Sequence, residues 1–211
     1  MTKIPMMVSL SNKKVVIIGG GQISERKTCR LVEYGIKPTL ISPSITERLR
    51  QMIQHYDLNW IKKECSPSDL PYYDVIIIAT NCSSVNQMIL DHKPKHAWVN
   101  ATHHASKGEI EFPIALRRGK LQIAISTGGS SPILAKKIKA QLEHDFPEDY
   151  DTYIDFLHQA RSLLKQAKVG SNIRIELLEK IVNKPIYKVE EQKNFLNMLK
   201  EQYLFHNKKK H

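Results

Sequence analysis

Residues 15–27 read VVIIGGGQISERK, and this stretch decides the fold. Val15–Ile18 is an unbroken β-branched run of the kind a strand buried on both faces requires. Gly19, Gly20 and Gly21 end it, and a helix is expected from Gln22, giving Gly-x-Gly-x-x-Ser with Ser24 in the third place. Each position has a physical task. Gly19 permits the tight turn, Gly21 lets the backbone approach a pyrophosphate, and Ser24 is small enough for close helix–strand packing. The helix mouth then offers unpaired N–H groups and positive dipole to an anion. Gly19, Gly20, Gly21, Gln22 and Ile23 are therefore candidate dinucleotide contacts; the competing reading is a glycine turn without a ligand.

Working outward, further short runs alternate with helical stretches: Thr39–Ser42, Leu58–Ile61, Val75–Ala79, Ala97–Asn100 and Leu121–Ser126. Strands interleaved with helices predict parallel pairing through right-handed crossovers, hence an α/β class with a Rossmann-like sheet. The carboxylate expected about 20 residues beyond the glycines, where it would bond a ribose hydroxyl, is missing. The second strand instead ends TLISPS, leaving Ser42 and Pro43 as candidate ribose contacts and NAD against NADP undecided. Thr80 and Asn81 close the fourth strand beside the expected crevice. Their competing role is helix capping, with Ser83 or Ser84 the better cap.

From Pro132 onward the sequence predicts only helices. Pro132–Leu142 is the first, and Tyr153, Leu157, Ala160, Leu164 and Ala167 mark a second that ends at Gly170. Leu177 to Val182 mark a third before Pro185, and Phe195 to Tyr203 a fourth. These stripes read as helix–helix core. The closing NKKKH reads as a frayed basic tail.

The chain has 211 residues, 41% hydrophobic and 25% charged, which excludes disordered, collagen-like and disulfide-stapled classes. No apolar run reaches the ~20 residues that cross a bilayer, and the N-terminus lacks the apolar core of a signal peptide. Cys29, Cys65 and Cys82 are odd in number and widely spaced, which argues for a reducing compartment and against a metal site. The expectation is a cytoplasmic protein with no membrane partner. Its net charge of +11, with +5 in residues 107–139 alone, suits a polyanionic partner, or else is a solvated basic surface kept for solubility.

Four stretches carry a family resemblance: IPMMVSLSNKKVVIIGGGQISERKTCRLVEYG, DVIIIATNCSSVNQ, IEFPIALRRGKLQIAISTGGSSPILAKKIKAQLE and the helical C-terminal segment. Together they cover nearly the whole chain. The pairing of GGGxxxxRK with ISTGGSSPxLAKxI resembles the precorrin-2 dehydrogenase family, including the N-terminal half of siroheme synthase. Generic dinucleotide-binding domains lack the second motif.

The resemblance implies three parts: an NAD-binding Rossmann-like domain over residues 1–113, a dimerisation region over 114–147 and a helical domain over 148–211. It implies a homodimer with NAD as cofactor. It also implies oxidation of the tetrapyrrole precorrin-2 to sirohydrochlorin in sirohaem biosynthesis. A substrate ringed by carboxylates accounts for a basic protein with no nucleic-acid partner; Arg117, Arg118, Lys120, Lys136 and Lys137 are candidate carboxylate partners. Ser126, Thr127, Gly128 and Gly129 resemble the family's substrate-side loop, and can equally be a turn with an N-cap.

One departure stands out. Similar proteins carry an Asp as general base where this chain, in Asn100-Ala101-Thr102-His103, has His103. A neutral imidazole accepts a proton near neutral pH, so His103 or His104 is a candidate base; the competing reading is a polar loop after the strand. The alternatives are Glu109, Glu111 or proton loss to solvent. Rival readings are a bifunctional dehydrogenase and ferrochelatase, which the missing Asp disfavours, a non-catalytic NAD-sensing module, and a nucleic-acid binder without a recognisable motif.

Overall fold

In the computed structural model, residues 3–205 are described; the basic tail at 207–211 lies outside them. The chain divides into two compact units, Met1–Phe112 and Pro113–His211.

The first unit is built on a five-stranded parallel sheet in the order β3-β2-β1-β4-β5. Its strands are β1 (Val15–Ile18), β2 (Thr39–Ile41), β3 (Trp60–Ile61), β4 (Val75–Ile78) and β5 (Trp98–Ala101). The α-helices joining them are α1 (Gln22–Glu33), α2 (Glu47–Tyr56) and α3 (Ser83–His92). β1 and β4 are buried along their whole length. Because successive side chains point to opposite faces, one face collects Val16, Ile18, Ile76, Ile78 and Val99, and the other Val15, Ile17, Val75 and Ile77. The order reverses between β1 and β4. That makes a crevice at the carboxyl ends of the strands, where the glycine turn leaves β1.

The second unit opens with a two-stranded antiparallel hairpin, β6 (Ile114–Arg118) and β7 (Leu121–Ile125), with Leu116 opposite Ile123. This corrects two expectations. Leu121–Ser126 does not extend the parallel sheet, and its partner β6 was not anticipated. Only Gly119 and Lys120 separate the strands, a connection that can join antiparallel neighbours alone. Two arginines at its end disguise β6 as a polar segment.

The helices α4 (Pro132–Asp145), α5 (Tyr150–Gln166), α6 (Ser171–Asn183) and α7 (Val189–Leu199) follow, and α7 continues into a wider π-type turn over Lys200–Phe205. From the predicted stripes Tyr153, Ala160, Leu164, Ile181, Leu196 and Leu199 are buried together; Phe156, outside those stripes, joins them, and Val182 is instead exposed. The Tyr153 hydroxyl donates to the Ile181 carbonyl at 2.8 Å. No described helix is long and apolar enough to cross a membrane.

Candidate functional site

The glycine turn is shaped by contacts that exclude side chains. Gly19 has a φ of +124°, and a Cβ there would lie 2.2 Å from the Ala79 carbonyl oxygen. A Cβ on Gly20 would lie 1.9 Å from the Ser44 carbonyl oxygen. Gly21 is the reverse case, since a Cβ there meets nothing within 4 Å. The space in front of α1 is open, and no side chain caps the helix at Gly21. Its first-turn amides are left for an anionic ligand. Ser24, fully buried, donates its hydroxyl to the Gly19 carbonyl at 2.8 Å and seats the helix against the turn. These residues fit a dinucleotide pyrophosphate.

The parallel sheet brings the other predicted cofactor residues to the same edge, because each follows the carboxyl end of a strand. Ser42 and Pro43 follow β2, and Thr80 and Asn81 follow β4. Ser42 is buried, and its hydroxyl donates to the Ser44 carbonyl at 2.6 Å, so it keeps only acceptor capacity for a ribose. The expected caps, Ser83 and Ser84, do not hold the N-cap position of α3. Cys82 does, with its N–H donating to the Thr80 hydroxyl oxygen at 3.0 Å. The hydrogen bond with Ser84, with support from neighbouring amides, holds the Cys82 thiol below its ordinary range.

His103 and His104 follow β5 at this edge, both exposed, with ring centroids 5.9 Å apart. Partial desolvation of its ring, then the neighbouring His104 and Lys107, hold His103 below the usual imidazole value. At neutral pH it is uncharged and able to accept a proton. Glu109 does not join this edge. Its carboxylate accepts the Val99 N–H at 3.0 Å and pairs with Lys93 at 2.6 Å. Partial burial pushes its pKa up, but those bonds outweigh burial and hold the carboxyl below its ordinary range. A carboxylate so engaged is a weak base.

Sequence reasoning overlooked two buried amides. Asn86 donates to the Thr80 carbonyl at 3.1 Å and Asn100 to the Ile110 carbonyl at 2.9 Å, while the side-chain oxygens of both lack a partner among the described residues. The available signal was Asn100 itself, a polar residue inside the β5 run WVNA.

Arg117, Ser126, Thr127, Gly128, Gly129 and Lys136 all belong to the second unit. Arg117, on β6, donates to the Gly119 carbonyl at 3.3 Å, and Lys136 is exposed on α4. Ser126–Gly129 form a turn in which the Ser126 hydroxyl accepts the Gly128 N–H and the Thr127 hydroxyl accepts the Ser131 N–H, each at 3.2 Å. The cap of α4 is Ser131, whose hydroxyl accepts the Leu134 N–H at 3.1 Å. The turn residues are thereby released from capping.

The sheet order, the crevice and the uncapped helix mouth define a dinucleotide-binding protein of the Rossmann class. A family model described as putative NAD(P)-binding matches residues 6–114. Models described as sirohaem biosynthesis protein central and SirC C-terminal domain match 118–144 and 150–195. The chain belongs to the precorrin-2 dehydrogenase family, and its cofactor is NAD.

Precorrin-2 dehydrogenase of Priestia megaterium is 31% identical over 178 residues, covering 84% of this chain and 88% of that one. The Bacillus subtilis (strain 168) protein of the same name is 30% identical over 158 residues, covering 75% and 98%. A solved structure titled SirC, precorrin-2 dehydrogenase superposes with a TM-score of 0.80 at 29% identity, covering 94% of this chain and all of the other.

Proposed function

We propose that this chain is an NAD-dependent oxidoreductase that converts precorrin-2 to sirohydrochlorin. The observation that carries the reading is the open, uncapped mouth of α1 behind Gly21, on a chain akin to precorrin-2 dehydrogenases along most of its length. When bound, the nicotinamide supplies hydride acceptance.

The chain's own residues do the rest. Gly19 to Ile23 hold the pyrophosphate against the helix mouth. Thr80 and Asn81 flank the crevice from the end of β4. His103, neutral at physiological pH, takes the proton that leaves as the macrocycle is oxidised, with His104 beside it. Arg117, Lys136 and the Ser126–Gly129 turn, all in the second unit, are the cationic and hydroxyl-bearing groups that suit a substrate rich in carboxylates.

We further infer a two-fold homodimer through residues 114–147. The hairpin pairs only with itself among the described residues, and α4 presents Ile133, Leu134 and Ile138 to solvent, Ile133 being 82% exposed. Such apolar surface beside an unpaired sheet edge suits a second copy. The three cysteines are free thiols, which suits the cytoplasm.

The test is anaerobic incubation of purified protein with precorrin-2 and NAD, following sirohydrochlorin and NADH by absorbance. Formation of both in equal amounts is expected; dinucleotide binding without tetrapyrrole turnover would support a sensing module instead.

A further inference from the structure

We propose that the groove between α1 and α2 is a site for the 2′-phosphate of NADP, with Arg48 as its principal cation and Arg26 as the second. On this reading the chain binds NADP about as well as NAD. The inference rests on the reading that the glycine turn seats a nicotinamide dinucleotide.

NAD-selective sites place a carboxylate at the end of β2, where it bonds the ribose 2′-hydroxyl and repels a phosphate; NADP sites place an arginine nearby. Here residues 42–46 are Ser-Pro-Ser-Ile-Thr, with no acid among them. The Ser42 hydroxyl is turned inward onto the Ser44 carbonyl. The carboxylates nearest this strand end are Glu25, held by the Thr46 hydroxyl, and Glu47, paired with Arg50.

Beside that loop lies a cavity of about 240 Å³ lined by Glu25, Arg26, Cys29, Arg30, Glu33 and Arg48. Three guanidiniums and two carboxylates line it, leaving a net positive charge, and each carboxylate accepts a hydrogen bond from a neutral donor. Glu25 accepts the Thr46 hydroxyl, and Glu33 accepts the Cys29 thiol at 3.4 Å. Arg26 and Arg48 stand in no ion pair among the described residues, whereas Arg50, two positions on, is paired with Glu47. Thr46 ties the groove to the cofactor turn, because its N–H donates to the Gly20 carbonyl at 3.0 Å while its hydroxyl holds Glu25.

The chemistry fits a phosphate monoester. Such a group carries between one and two negative charges at neutral pH, and guanidinium forks bind its oxygens in pairs. Arg48 lies in the first turn of α2, so the positive end of that helix reinforces the same preference.

Dissociation constants for NAD and NADP are measured by calorimetry on the full chain, without tetrapyrrole. NADP is expected to bind no more than threefold weaker than NAD, with the steeper salt dependence. Arg48→Glu should weaken NADP relative to NAD by tenfold or more, and Arg48→Met, which keeps the helix and removes the charge with its N–H donors, should move the ratio the same way by less. Adenosine 2′,5′-bisphosphate should displace NADP better than adenosine 5′-monophosphate does.

NADP bound more than threefold weaker than NAD by the wild type overturns the proposal and leaves the glycine-turn reading intact. So does a ratio that neither Arg48 variant changes. Failure to bind either dinucleotide overturns both.

Discussion

Gly21→Asp separates binding from stability, because at this position the two move in opposite directions. Gly21 has a φ of −95° and a ψ of −168°, extended backbone open to any residue, and a Cβ there meets no atom within 4 Å. It is also the N-cap of α1, a position where Asp is preferred, so the substitution should stabilise the helix by roughly a few tenths of a kcal/mol. The new carboxylate, however, stands where the pyrophosphate must come. Two phosphate charges about 5 Å away, at an effective dielectric of about 40, repel it by roughly 3 kcal/mol, on the order of a hundredfold in affinity.

The assay pairs calorimetric titration with NAD and a thermal melt of the same sample. A melting temperature equal to or slightly above wild type is expected, with NAD binding weakened about a hundredfold. Gly20→Ala supplies the contrast. Its Cβ, 1.9 Å from the Ser44 carbonyl oxygen, forces the loop apart and should lower the melting temperature as well as affinity. A Gly21→Asp protein that binds NAD within threefold of wild type would remove the glycine turn from the site.

If His103 is the base, His103→Ala should slow turnover by about 10²- to 10⁴-fold with NAD affinity unchanged. Only the neutral ring accepts a proton, so the rate should rise with pH. The limb should sit below the usual imidazole value of ~6.5, because desolvation, His104 and Lys107 all disfavour the charged ring. His103→Asp should keep substantial activity and shift the limb further down; a near-wild-type rate in His103→Ala refutes the role. For assembly, sedimentation should show a dimer at micromolar concentration and a monomer after Leu134→Glu, and a wild-type monomer would count against residues 114–147 as the interface. Tyr153→Phe removes the hydroxyl bound to the Ile181 carbonyl and should cost about 1 kcal/mol in denaturant unfolding without changing NAD affinity.

The parallel sheet was legible because β1 and β4 are unbroken β-branched runs, a pattern that survives only where both faces are covered. The helical stripes of Tyr153 to Leu164 were legible for the same reason, burial imposing a period. Only half of the hairpin was: Leu121–Ser126 read as a strand, whereas Arg117 and Arg118 cut the apolar run of β6 to Ile114–Leu116. Site residues were legible as positions at strand ends but not as orientations. The inward turn of the Ser42 hydroxyl and the engagement of Glu109 by Val99 and Lys93 depend on neighbours brought from elsewhere in the fold. Capping shows the same limit: Cys82, rather than Ser83 or Ser84, stands where the backbone enters α3.

The glycine turn is latched from three sides. The Gly19 N–H donates to the Ile41 carbonyl at 3.0 Å, the Ser24 hydroxyl holds the Gly19 carbonyl, and the Gly20 carbonyl accepts the Thr46 N–H. A ligand arriving there has little chain left to immobilise, so the entropy of association should be less unfavourable than for a loop that must order itself. The amide protons of Gly19 and Thr46 should therefore exchange slowly with deuterated solvent before any cofactor is added. Saturation with NAD should slow them little further, while the first-turn amides of α1 gain protection on binding.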